Sequence, residues 1–230
     1  MLDKPPKTSL GSKFADAVTY ALELHRAQYR KTTTVPYAAH LLGVSSIALE
    51  FGATEDEAIA ALLHDAVEDC GGLPILAEIR RRFGGEVAKI VAGCSDSFED
   101  DPDAEKAPWF ERKQTYISKL AGESEGTLLV SASDKLYNAL ATLNDERRFG
   151  QDVFKRFKSK KWGTLWYYRA LAAAFAAKPG RHAAIAPRLD EIVTILAGNA
   201  MSVDELRAKF EADTDVDDRE KGQFASSASA

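Results

Sequence analysis

The sequence is short of the residue types that mark several large classes of protein. It has only two cysteines, Cys70 and Cys94, and they show no C-x-x-C spacing. A disulfide framework and a thiolate zinc site are therefore not expected, and the two thiols read as buried in a reducing compartment. No apolar run approaches the roughly 18 residues of a membrane-spanning helix, so no membrane partner is expected. Met1-Leu2-Asp3-Lys4-Pro5-Pro6-Lys7 leads into no apolar stretch of the secretory kind, which makes cytoplasmic residence the expectation. A basic excess is missing too. The net charge of -5 argues against a nucleic-acid partner. Histidine is scarce, with His25, His40, His64 and His182 the whole set.

What is present is a chain of 230 residues, 45% hydrophobic and 28% charged. That suits one globular domain whose core needs no covalent staples. Residues 1–11 read as a flexible lead-in, 12–198 as the domain, and 199–230 as a short helix with a disordered polar tail.

Apolar residues recur at helical spacing through most of the chain. Phe14, Val18, Ala21, Leu22 and His25 mark a first helix, and Pro36 opens a second that stops at Gly52. Thr54 with Glu57 forms a capping-box pattern ahead of a helix over 55–69. Shorter helices are predicted over 74–83 and 85–93, and the acidic segment 95–108 reads as a solvated surface loop. Further helices are predicted over 108–120, 127–143, 151–177, 183–197 and 202–212. No period-2 segment and no repeat is visible. The expected fold class is all-α, an irregular bundle of about eight to ten helices.

Candidate chemistry concentrates at Leu62-Leu63-His64-Asp65-Ala66-Val67-Glu68-Asp69. Four ionisable groups close an apolar helix there, and buried charges need partners or a metal. In an unbroken helix, adjacent His64 and Asp65 would point about 100 degrees apart. Sharing one ion would then require donors from elsewhere, with His40 and Asp134 the candidates. Two imidazoles and two carboxylates suit a divalent ion such as Mn²⁺, with Zn²⁺ or Fe²⁺ as alternatives. Such an ion activates water and polarises phosphoryl oxygens. Glu68 and Asp69 stand one turn further on, where either could orient or deprotonate water. Arg30-Lys31, ahead of Thr32-Thr33-Thr34, offers cationic groups of the kind that hold phosphates.

Other residues carry blander readings. His25 shares a face with Phe14, Val18 and Leu22 and reads as a supporting residue near the site. His182 follows Gly180-Arg181 and reads as a surface residue. Trp162, Trp166, Tyr167 and Tyr168 read as core, since aromatic stripes at helical spacing usually pack.

In order along the chain, His25-x-x-Gln28-x-Arg30-Lys31, Pro36-Tyr37-x-x-His40, His64-Asp65-x-x-Glu68-Asp69 and Asp134-Lys135-Leu136-Tyr137-Asn138 resemble the hydrolase domain of the RelA/SpoT proteins. The stand-alone small alarmone hydrolases, among them the metazoan SpoT-homologue type, are the most similar group. The resemblance spans about residues 12–175. It implies an HD-superfamily helical fold and removal of the 3′-pyrophosphate of ppGpp or pppGpp, usually with Mn²⁺. It further implies metal binding by His40, His64, Asp65 and Asp134, and handling of water by Glu68 and Asp69. Contacts to the nucleotide fall by the same resemblance to Arg30, Lys31 and Asn138. Arg112, within Glu111-Arg112-Lys113, is carried over as a phosphate contact.

The chain also departs from the family. A polar pair such as Arg-Thr often follows the motif's Asn there, whereas Leu140 and Ala141 stand here. This leaves two rival expectations: the same site acting on ppApp or the 2′-phosphate of NADPH, or a catalytically silent nucleotide-sensing or partner-binding domain. The family's synthetase domain has no counterpart, residues 178–230 match nothing in it, and the oligomeric state is left open.

Overall fold

The computed structural model describes residues 7–95 and 107–222. The acidic segment 99–105 expected as a surface loop lies outside these residues. Among them there are eleven α-helices and no strand, only an isolated bridge between Tyr29 and Pro36. None of these helices is long and apolar enough to cross a membrane.

Two buried helices form the centre. The first, α3 (Glu55–Leu63), is buried from Glu57 to Leu63, as its apolar run requires. The second, α8 (Glu125–Phe149), is buried without interruption from Gly126 to Asp134. Around them pack α1 (Ser12–Leu24), α2 (Ala38–Glu50) and α6 (Gly85–Cys94), with α4 (Ala66–Cys70) and α5 (Gly72–Phe83) joining α3 to α6. On the other side, α9 (Lys160–Ala176) carries α7 (Trp109–Leu120), α10 (Ala186–Ala197) and α11 (Val203–Glu211). Short 3-10 turns at Gly150–Arg156 and Arg181–Ala184 complete the chain.

The ends of these helices follow from local chemistry. Thr54 and Glu57 exchange the two bonds of a capping box, Thr54 N to Glu57 Oε2 at 2.8 Å and Glu57 N to Thr54 Oγ1 at 3.3 Å. Ser124 Oγ accepts from Thr127 N at 3.2 Å and starts α8 at Glu125, ahead of the Thr127 that the apolar pattern alone predicts. Close approach of α2 to α8 depends on Gly43. A Cβ there would lie 2.0 Å from the Tyr137 ring.

Three expectations need correction. The helix predicted over 55–69 is two helices, α3 and α4, and its break at His64-Asp65 raises the count from ten to eleven. His182 is not a surface residue: it is fully buried, edge-on to Phe175, beneath Gly180, whose φ of +156° a side chain rarely adopts. Burial lowers its pKa, so the ring stays neutral inside the core. Residues 213–222 are a run of turns rather than a disordered tail, because Val216 and Lys221 are buried and Glu220 is bonded to the start of α7. The remainder of the tail lies outside the described residues. Trp166, Tyr167 and Tyr168 are buried as expected, and Trp162 packs against the core from a half-buried position.

Glu57 does more than cap α3. Arg181, 124 residues away, donates to both its oxygens at 2.7 and 2.8 Å, to Gly52 O at 2.7 Å and to Glu125 Oε1 at 2.8 Å. Burial alone would raise the Glu57 carboxyl. Arg181 and the Thr54 amide outweigh it and hold the carboxyl below its ordinary value. A lowered carboxyl contributes stability above the unfolded-state value and loses it as pH falls through the folded-state value. Glu57→Gln is thus expected to lose about 1–3 kcal/mol at neutral pH. In thermal melts the gap to wild type should narrow below about pH 4.5. A gap that widened in acid would contradict this role.

Candidate functional site

The break between α3 and α4 sets the centre of the site. His64 ends α3 in helical geometry, and Asp65 follows at φ -93°, ψ -5°. That bridge conformation is common among active-site residues. The interruption re-aims the two neighbours, so His64 Nε2 and Asp65 Oδ2 stand 3.0 Å apart instead of diverging. His40, in the first turn of α2, adds its Nε2 at 3.3 Å from His64 Nε2 and 3.2 Å from Asp65 Oδ2. From the middle of α8, Asp134 Oδ1 approaches the two imidazole nitrogens to 3.4 and 3.6 Å. The four side chains singled out in the sequence therefore meet.

Three of the four are held from behind by hydrogen bonds, whereas His40 Nδ1 is buried without a partner and its ring is flanked by Tyr37 and Tyr137. His64 Nδ1 donates to Ala61 O at 2.9 Å, which turns Nε2 toward the cluster. Tyr37 OH donates to Asp65 Oδ2 at 2.6 Å. Lys135 Nζ donates to Asp134 Oδ2, and Asn138 Nδ2 to Oδ1, both at 2.5 Å. The rings of His25, Tyr37, His40 and Tyr137 form a succession with centroids 5.1–5.2 Å apart.

The donor set fits a divalent cation. Bonds of about 2.0–2.2 Å to one ion place neighbouring donors about 3.0–3.5 Å apart, close to the separations found here. The electrostatics agree. Burial would lower the His64 pKa, yet Asp65 and Asp134 raise it well above its ordinary value. Burial keeps the His40 ring below its ordinary value despite the same carboxylates. Both carboxyls are held below theirs, with the imidazoles and Lys135 overcoming their burial. The cluster thus draws positive charge to one point.

A cavity of about 170 Å³ opens over this point. Glu68, Lys113, Lys135, Tyr116, Ser131 and Cys94 line it together with the four donors. Asp69 stands aside from that cavity and accepts from Gln28 Nε2 at 2.8 Å, while Gln28 Oε1 lies 2.6 Å from His25 Nδ1. Burial raises the Asp69 carboxyl, Gln28 opposes the rise and Asp65 adds to it. His25 is buried and does support the site, through Gln28.

Tyr37 and Asn138 form a wall shared with a second cavity of about 290 Å³. Arg30 and Lys31 lie there, with Thr142, Arg156, Phe157 and Tyr168 opposite. Arg30 is fixed by its bond to Asn138 Oδ1 at 3.1 Å, and the Tyr29–Pro36 bridge closes the loop that carries it. Arg112 lines neither cavity. It donates from Nε to Ala107 O at 3.0 Å, while Lys113, one residue on, lines the cavity over the His-Asp cluster. Leu140 packs half-buried against the core, away from both. Lys113, Lys135 and Tyr37 stood inside or beside the motifs and were legible there. Arg156 and Phe157, from the 3-10 turn and its end, carry no local signal.

A sequence model of the HD-domain family matches residues 17–155. The human guanosine-3′,5′-bis(diphosphate) 3′-pyrophosphohydrolase MESH1 is 35% identical over 133 residues, 56% of this chain and 69% of that protein. The 3′-pyrophosphohydrolase of Aquifex aeolicus is 34% identical over 134 residues, 57% of this chain but 18% of that longer protein. Among solved structures, a metazoan SpoT ortholog described as hydrolysing ppGpp superposes with a TM-score of 0.63 at 29% identity, covering 84% of this chain and 99% of that one. A Listeria monocytogenes protein superposes at 0.55 with 27% identity, over 67% of this chain and 99% of its own.

If the four donors hold a cation, Mn²⁺ at a hundred times its Kd should stabilise the protein by about 2.7 kcal/mol. His64→Ala and Asp65→Ala should each abolish that gain, read as the shift in Tm between Mn²⁺ and chelator. A full shift in His64→Ala would reject the assignment.

Proposed function

The chain belongs to the HD-domain family, among the alarmone 3′-pyrophosphohydrolases of the RelA/SpoT type, and on that premise we propose that it hydrolyses ppGpp and pppGpp to GDP or GTP and pyrophosphate. One observation carries the reading: the imidazoles of His40 and His64 meet, with a carboxylate oxygen of Asp65 and one of Asp134 each 3.0–3.6 Å from them, beside a cavity whose wall bears Arg30, Lys31 and Asn138.

His40, His64, Asp65 and Asp134 hold a divalent cation, and their mixed nitrogen and oxygen donors suit Mn²⁺. Bound there, such an ion withdraws charge from a phosphoryl oxygen and makes water a stronger nucleophile at neutral pH. Glu68, on the cavity wall, takes the proton of the attacking water. Asp69, bonded to Gln28 outside the cavity, supports the cluster from behind Asp65 and His25 rather than touching that water. Attack falls on the phosphorus bonded to the 3′-oxygen. That P–O bond breaks, the nucleoside keeps the 3′-oxygen, and pyrophosphate leaves. Lys113 meets the pyrophosphate charge, while Arg30, Lys31 and Asn138 grip the nucleotide in the second cavity. Lys135 stays on Asp134 and keeps that carboxylate ionised.

The second reading, in which the same site takes ppApp or the 2′-phosphate of NADPH, stems from Leu140 and Ala141 where the family often has polar residues; neither lines either of the two cavities, so the geometry does not favour it. The presence of Glu68 at the cluster weighs against a silent nucleotide sensor, which has little use for a general base.

Purified protein with Mn²⁺ should convert ppGpp to GDP and pyrophosphate faster than it turns over ppApp or NADPH. No turnover of ppGpp with metal demonstrably bound would reject the proposal, and faster release of phosphate from NADPH would favour the second reading. Glu68→Gln is expected to lower kcat about 100- to 10,000-fold while leaving the Mn²⁺-induced Tm shift in place.

A further inference from the structure

Helix α7 delivers Lys113 to the metal-binding cavity, yet the residue before its first turn is Pro108, which has no side-chain acceptor. Helix starts leave N–H groups open, and an unsatisfied first turn frays. Here a single residue 111 positions away closes it. Trp109 N donates to Glu220 Oε2 at 2.8 Å, and Phe110 N donates to the Glu220 carbonyl at 3.2 Å. The other carboxylate oxygen of Glu220 accepts from Lys158 Nζ at 3.2 Å, so the cap is braced from a third direction. Burial would raise the Glu220 carboxyl, but the Trp109 amide and Lys158 hold it below its ordinary value. A carboxylate at a helix N-terminus also suits the macrodipole.

The segment that carries Glu220 is itself tied down. Arg207 of α11 donates to Lys221 O at 3.1 Å and lies 3.3 Å above the Phe110 ring centroid. Phe210 packs edge-on against Trp109 at 5.6 Å. Lys113 stands four residues after Trp109, one helical turn on and on the same face. Its ammonium is 5.1 Å from the Tyr167 ring centroid. Whatever fixes the first turn of α7 therefore fixes where that ammonium sits.

We propose that Glu220 is a positioning residue that caps α7 from the C-terminal segment and sets the place of Lys113 over the phosphate-binding cavity. The inference rests on the phosphohydrolase reading of that cavity. It gives residues 202–222, which the sequence motifs leave without a role, a function in binding polyphosphate.

The test is a double-mutant cycle in the full chain with ppGpp and Mn²⁺. Lys113→Ala should raise KM about tenfold, with kcat little changed. Glu220→Ala should reproduce most of that rise, and the double variant should be no worse than Lys113→Ala alone. Glu220→Gln keeps an oxygen for the Trp109 amide and should restore most of the binding. Hydrogen exchange, read without substrate, should accelerate at the amides of Trp109 to Lys113 in Glu220→Ala. Independent, additive effects on KM would overturn the proposal, as would unchanged exchange in α7. If wild type proved inert toward ppGpp, the proposed activity would fail by itself. The α7 amides and the same cycle read with inorganic pyrophosphate binding would then decide this inference.

Discussion

Two carboxylates, Asp65 and Asp134, are aimed at the same pair of buried imidazoles. Like charges that close repel unless positive charge lies between them, and burial amplifies the repulsion. The surrounding structure follows from managing this. Lys135 and Asn138 each take one oxygen of Asp134, and Tyr37 takes one of Asp65. His64 is locked by the carbonyl of Ala61. The break in the helix at His64-Asp65 is the price of pointing two adjacent side chains at one place.

The same supports join binding to chemistry. Tyr37 and Asn138 each face both cavities, and Asn138 bonds on one side to Asp134 and on the other to Arg30. Arg30 in the larger cavity is thus registered against the His-Asp cluster through one amide side chain. Gly43 permits this arrangement, since the Tyr137 ring beside His40 occupies the space that a methyl group would need.

Much of this was legible in the sequence because it depends on local spacing. Thr54 with Glu57 announced the start of α3, and the ordered motifs picked out His40, His64, Asp65 and Asp134, which the fold brings together. The break was not legible, since nothing in Leu63-His64-Asp65-Ala66 disfavours a continuous helix; tertiary bonds to Asp65 override local preference. Arg112 against Lys113 is a matter of helix phase, which a motif match does not resolve. His182 looked exposed because it follows Gly180-Arg181 at a helix start, whereas its ring turns inward beneath Gly180. Arg156 and Phe157 reach the second cavity through folding alone. Glu220 sits in a polar run that reads as solvated, and only its bonds to Trp109 and Phe110 distinguish it.

The Glu57–Arg181 pairing has a consequence for biosynthesis. The two residues are 124 positions apart. At about 5–20 residues per second of translation, Glu57 waits roughly 6–25 s for its cation to be made. Until then α3, which carries His64 at its far end, has a carboxylate at its base that cannot be buried comfortably. By then His40, His64, Asp65 and Asp134 have all been made, so the base of α3 gains its cation only after every side chain of the cluster at its far end already exists.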